Sequence, residues 1–130
     1  MIVLDASAAV EWLLLTPAGQ RIDKRISWGS ESLHTPHLLD VEVAHALRRL
    51  VREGLVPPDR ADEAIEDLDD LRISRYPHVV LLPRIWQLRH NFSSYDAAYV
   101  ALAETLGARL ITCDRRLASA SGHAASIEFF

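Results

Sequence analysis

Two short apolar runs in this chain close the same way: "IVLD" ends on Asp5 and "LITCD" ends on Asp114. Both have the length of a strand, and neither shows the in–out alternation of a strand with one wet face. A run that is apolar on both sides belongs in a sheet covered by helices, which in practice means a parallel sheet. Parallel strands need a crossover connection, usually a helix. The two runs therefore predict an α/β chain. They also place two carboxylates at strand carboxyl ends, where parallel sheets bind ligands.

The sequence around them fits. Ser7 is placed to cap a helix over "AAVEWLLL", which ends in a turn at "TPAG". "QRIDKRISW" reads as a second short amphipathic helix, and "ESLHTP" as a strand closed by Pro36. A longer helix is expected from Leu38 to Glu53, stopped by Gly54, with Leu39, Val43, Ala46, Leu47 and Leu50 as its apolar stripe. "VPPDRADEAIEDLDDL" restarts a helix after two prolines, with Asp59 as its cap, and "RISRYP" is a strand candidate. "VVLLPRIWQLRHN" is ambiguous, because Pro83 must sit in a first helical turn or make a kink. Ser94 is placed to cap a helix that runs to Leu106 and stops at Gly107. "RRLASASG" is a short helix or turn, and "SIEFF" a last strand. This alternation predicts an α/β sandwich with a mostly parallel sheet.

At 130 residues, 49% of them hydrophobic, the chain is expected to form a single domain, 1–130, around one core. No apolar stretch reaches the roughly 18 residues that span a bilayer. Asp5 interrupts the first apolar run at once, so no secretory signal is expected either. The single cysteine, Cys113, has no partner for an internal disulfide, which fits a cytoplasmic location.

A net charge of −4 argues against a nucleic-acid partner until its distribution is considered. Residues 59–70, "DRADEAIEDLDD", hold seven acids and one base, while the rest of the chain has eleven acids and thirteen bases. With four of those eleven acids assigned to a metal site, seven remain against thirteen bases, enough for a basic face. The acidic stretch itself reads as a solvated helix face.

Four acids stand apart. Asp5 and Asp114 follow strands, and each taken alone could equally be a loop acid or helix cap. Glu42 lies early in the long helix, between the stripe residues Leu39 and Val43. Asp96 lies near the start of its own helix, in "YDAAYVALA", a setting of small and apolar residues that suits a crevice better than open water. The helix dipole accounts cheaply for either of these alone. As a set, four carboxylates meeting in one crevice would repel one another and require a cation or altered protonation. Carboxylate oxygens match hard divalent ions such as Mg²⁺, which keeps waters and pairs one or two carboxylates with substrate phosphate. That is chemistry for cutting a phosphodiester.

"IVLDASA", Glu42 within "LLDVEVAHALRR", "YDAAYVALAE" and "LITCDRRL", in this order and over essentially the whole chain, resemble a PIN domain. More narrowly they resemble the toxin ribonucleases of VapBC-type toxin–antitoxin pairs. The resemblance implies a three-layer α/β/α sandwich with a four- or five-stranded, mostly parallel sheet. It implies an Mg²⁺- or Mn²⁺-dependent endoribonuclease that hydrolyses RNA with a metal-activated water. The acidic quartet would be Asp5, Glu42, Asp96 and Asp114, with Asp5 and Asp96 as metal ligands; Asp114, past its strand, is read here as acting through water. Ser7 and Thr112 match positions that support the acids by hydrogen bonds. A homodimer and an antitoxin that blocks the site are implied as partners. Cys113 stands where a small residue such as Ala is expected, and reads as a buried small side chain rather than a nucleophile.

Other residues point less clearly. Arg115 and Arg116 follow Asp114 and are candidates for holding RNA phosphates; with Arg48, Arg49 and Arg52 they could equally form a solvated basic face. His34 and His37 flank Pro36 without a second pair at ligand spacing, so zinc is not expected. Trp12, Trp28 and Trp86 are read as core residues, or, for Trp12 and Trp28, as lining for a partner helix. A haloacid-dehalogenase-like phosphatase would need an Asp where Ser7 stands, and a P-loop is absent. The alternative outside enzymes is a non-catalytic RNA-binding or regulatory PIN module.

Overall fold

A computed structural model of the chain describes residues 1–130. In chain order the elements are β1 (Ile2–Leu4), α1 (Ala6–Leu13), α2 (Pro17–Ser27), β2 (Leu33–Pro36), α3 (Leu38–Arg52), α4 (Pro58–Asp70), β3 (Ile73–Tyr76), a 3-10 turn (Val79–Leu81), α5 (Leu82–Gln87), α6 (Ser94–Leu106), β4 (Arg109–Thr112), α7 (Arg115–Ser119) and β5 (Ser126–Phe129). The five strands form one sheet in the order β3-β2-β1-β4-β5, and every neighbouring pair is parallel. The sandwich expected from sequence is therefore present, with five strands and no antiparallel member.

The strand order positions the site. From β1 the chain moves outward one way through β2 to β3, then returns to β4 on the other side of β1 and continues to β5. Right-handed crossovers put α1–α4 on one face and α5–α7 on the other. The crevice where strand order reverses lies between the carboxyl ends of β1 and β4. β1 is fully buried and aligns Leu4 with Ile111. One residue further, Asp5 meets Thr112.

Several local expectations change. Asp5, not Ser7, caps α1, accepting from the Ala8 N–H at 2.8 Å. An extended backbone (φ −89°, ψ 169°) and a carboxylate two to three residues before free N–H groups make it the better cap. "TPAG" is not a simple turn: Thr16 caps α2, which starts at Pro17. Ser93, rather than Ser94, caps α6. Asp59 sits in the first turn of α4 behind Pro57 and Pro58 and caps nothing. Pro83 lies in the first turn of α5, which settles the ambiguity there without a kink. Trp28 and Trp86 are 87% and 65% exposed, so neither is a core residue. Trp86 lies under the Arg89 guanidinium, and Trp12 donates from its indole to Asp23, tying α1 to α2. All seven acids of residues 59–70 are exposed, the solvated face expected of them.

Candidate active site

Asp5 is a buried carboxylate held by several donors. Its residue is 4% exposed. One carboxylate oxygen accepts from the Ser7 hydroxyl and the Ala8 N–H, both at 2.8 Å; the other accepts from the Thr112 hydroxyl at 2.5 Å. Ser7 also accepts the Cys113 N–H, and Thr112 accepts the Asp114 N–H. The turn after β1 and the turn after β4 are thus laced together through two hydroxyls. Burial pushes the Asp5 carboxyl up to about 6, against the pull of those hydrogen bonds, and the Asp96 charge pushes it in the same direction.

The other acids come from both helical layers. Glu42, on the second turn of α3, accepts from the Tyr99 hydroxyl of α6 at 2.5 Å. Burial raises the Glu42 carboxyl, the Tyr99 hydrogen bond opposes this, and the Asp96 charge adds to it. Asp96 occupies the first turn of α6, which Ser93 caps. Burial raises it too, the Asp114 charge adds, and the Arg116 charge lowers it. Asp114 caps α7, accepting from the Arg116 and Leu117 N–H groups. The four acids share one electrostatic neighbourhood in which Asp96 is the common member. Arg116 is the one base whose charge reaches Asp96. Arg115 does not join them: its guanidinium lies 5.6 Å over the Phe129 ring.

No three His, Cys, Asp or Glu side chains converge tightly enough to enclose a metal ion alone. The donors nevertheless suit one class of cation. They are all oxygens, and three of the four carboxyls are held above their ordinary range by burial with too little positive charge nearby. A hard divalent ion that keeps several waters needs only one or two protein carboxylates. The histidines offer nothing comparable, since His34 is buried between the Ser32 and Tyr76 hydroxyls.

The PIN domain model matches residues 2–122. The chain belongs to the PIN-domain family. Among curated relatives of this PIN domain, ribonuclease VapC12 of Mycobacterium tuberculosis is 45% identical over 128 residues, covering 98% of both chains. Ribonuclease VapC9 of the same species is 44% identical over 117 residues, covering 90% of this chain and 88% of the relative. Among solved structures, PAE2754 from Pyrobaculum aerophilum superposes with a TM-score of 0.73 at 24% identity, covering 97% of this chain and 81% of that one. M. tuberculosis VapC20, described as a sarcin-ricin loop cleaving toxin, does so with a TM-score of 0.70 at 16% identity, covering 95% and 97%. These two likenesses speak for the fold.

Within the PIN framework, sequence reading missed Tyr99. Its residue is 2% exposed, and its hydroxyl is pushed above the ordinary range by burial first and then by its hydrogen bond to Glu42. A signal was available, because Tyr99 follows Asp96 by three residues and shares its helix face. Cys113 is half-buried, and burial pushes its thiol up to about 11, which makes it a poor nucleophile at neutral pH.

Proposed function

We propose that this chain is a divalent-metal-dependent endoribonuclease, the toxin of a toxin–antitoxin pair. The observation that carries the reading is the Asp5 carboxylate: buried at the sheet's switch point, fixed by three donors, and short of positive charge. Its cap of α1 needs only an oxygen, so the buried charge itself serves a cation rather than the fold. Relatives named ribonuclease VapC, 36–45% identical over at least 90% of the chain, support the activity.

In this reading Asp5 and Asp96 would hold Mg²⁺ or Mn²⁺, and the cation, when bound, would supply charge stabilisation for a phosphoryl transition state and a more acidic water. Ser7 and Thr112 keep the Asp5 carboxylate in one orientation. Glu42, fixed by Tyr99, accepts a proton from the attacking water, and Asp114 orients solvent beside Asp96. Arg116 holds substrate phosphate. A neutralising antitoxin is the expected protein partner. A homodimer is proposed through the apolar surface of Val79, Val80, Leu82 and Trp86, each more than half exposed; a monomer mass in sedimentation equilibrium would remove it. No helix is long and apolar enough to cross a membrane, and we place the protein in the cytoplasm with its RNA.

The test is cleavage of a labelled RNA pool by purified protein. Mg²⁺ or Mn²⁺ is expected to support cleavage and EDTA to abolish it. Asp96→Asn is expected to lower the rate by roughly 100-fold or more, the scale of a lost catalytic group. Equal rates with EDTA and with Mg²⁺ would refute the metal mechanism. RNA binding without metal-dependent cleavage would favour the non-catalytic module.

A further inference from the structure

A cleft of about 700 Å³ lies between α1 and α3 and shares Ser7 and Glu42 with the acid cluster. That volume is within the range of small-molecule and nucleotide sites. Val10, Val41 and Leu50 give it apolar walls, and Tyr95 closes it on the α6 side. Tyr95 directly precedes Asp96, yet its side chain is left 65% exposed. A large aromatic facing water beside a half-buried carboxylate cluster gains little for the fold.

The charges around this cleft are sorted. Glu42 and Glu11 line its acid-cluster end and repel phosphate, while a Glu11 oxygen can accept from the amino group of a base. On the other side, Arg49 lines both this cleft and an adjoining one of about 430 Å³, which is lined by His45, Arg48, Arg49, Arg52 and Glu53. Positions 45, 48, 49 and 52 recur at helical spacing and so form one face of α3. Arg48 and Arg52 have no acidic partner within 4.0 Å, and Arg49 has only the exposed Glu53 at 3.4 Å. Such a surface pair is weak and easily exchanged for a phosphate.

We infer that this cleft is a base-binding subsite for single-stranded RNA, in which Tyr95 stacks on a base beside the scissile phosphate and the arginine face of α3 carries the backbone onward. The inference rests on the ribonuclease reading and adds to it a position for the flanking nucleotide. An aromatic platform next to a basic track is how single strands are held with little sequence preference. The apolar walls and the two carboxylates favour a base in the cleft, and the arginines favour phosphate outside it.

The experiment measures binding rather than cleavage. Full-length Asp5→Asn protein is titrated into a fluorescein-labelled 12-nucleotide oligoadenylate and into a 12-nucleotide abasic ribose-phosphate chain, with fluorescence anisotropy as the readout. Adding Tyr95→Ala or Tyr95→Leu is expected to weaken oligoadenylate binding roughly 5- to 150-fold, the worth of one stacked base. Tyr95→Phe is expected to retain it, because stacking needs the ring and not the hydroxyl. The abasic chain is expected to bind equally with and without Tyr95. Arg49→Gln with Arg52→Gln is expected to weaken both probes and flatten their salt dependence. Tyr95→Ala binding oligoadenylate as tightly as its parent, or losing both probes alike, would overturn the inference; so would a parent that binds neither. Tyr95-dependent binding with no metal-dependent cleavage by wild type would leave the subsite standing and remove the nuclease reading.

Discussion

Replacing Asp5 by Asn should make the metal-free protein more stable at neutral pH. Asn has the shape of a protonated Asp, can still cap α1, and carries no charge into the crevice. The folded Asp5 carboxyl titrates at about 6 against 3.8 for the ordinary side chain. At about 1.4 kcal/mol per pH unit, that gap is worth about 3 kcal/mol. The sign follows from proton counting. Between pH 3.8 and about 6 the folded protein holds a proton that the unfolded chain has released. Stability from this group is therefore fully present below pH 3.8, is lost as pH rises through about 6, and stays lost above it.

The assay is urea unfolding of wild type and Asp5→Asn in EDTA across pH 4 to 7. The difference in unfolding free energy, variant minus wild type, should rise by roughly 2.5 kcal/mol over that range, the rest being lost below pH 4, and flatten beyond it. At roughly 4 °C per kcal/mol for a domain of this size, the variant should melt about 10 °C higher at pH 7. Taking the difference cancels the remaining carboxyls, including Glu31 and Glu104, whose arginine partners lower them and give slopes of opposite sign. A difference that does not change with pH would refute the reasoning, because the Asp5 charge would then be as well accommodated in the fold as in water.

Two further outcomes follow from single contacts. Tyr99→Phe removes the hydroxyl that donates to Glu42 and that opposes the rise of its proton affinity. Cleavage should fall by roughly tenfold, the scale of one hydrogen bond to a charged group, and the acid limb of the pH–rate profile should move to higher pH. Superimposable profiles would deny Glu42 its role. Gly19→Ala should destabilise the fold, since its Cβ would stand 1.8 Å from the Glu11 carbonyl oxygen and 2.5 Å from the carbonyl carbon. Both atoms are backbone at the α1–α2 crossing, so the cost should lie at or above the upper end of roughly 1–3 kcal/mol, read by urea unfolding.

The two apolar runs that end in aspartate, and the helical periods between them, were enough to specify a parallel sheet, its crossovers and the placing of Asp5 and Asp114 at strand ends. These features depend on neighbours in sequence, where the spacing of apolar residues and the Gly107 stop leave few alternatives. Helix starts were less legible. Asp5 and Ser7, or Ser93 and Ser94, carry similar oxygens, and only the backbone path shows which one faces the free N–H groups. That crowded acids need a cation or altered protonation was legible, but the charge state of each acid was not. It depends on how deeply each carboxyl is buried, on Thr112 reaching Asp5 from a strand 107 residues away in sequence, and on Tyr99 reaching Glu42 from the opposite layer. Exposure was equally hidden. Trp28, Trp86 and Tyr95 look alike in a string of letters, and the packing around each decides whether an aromatic ring fills a core, meets solvent or borders a cleft.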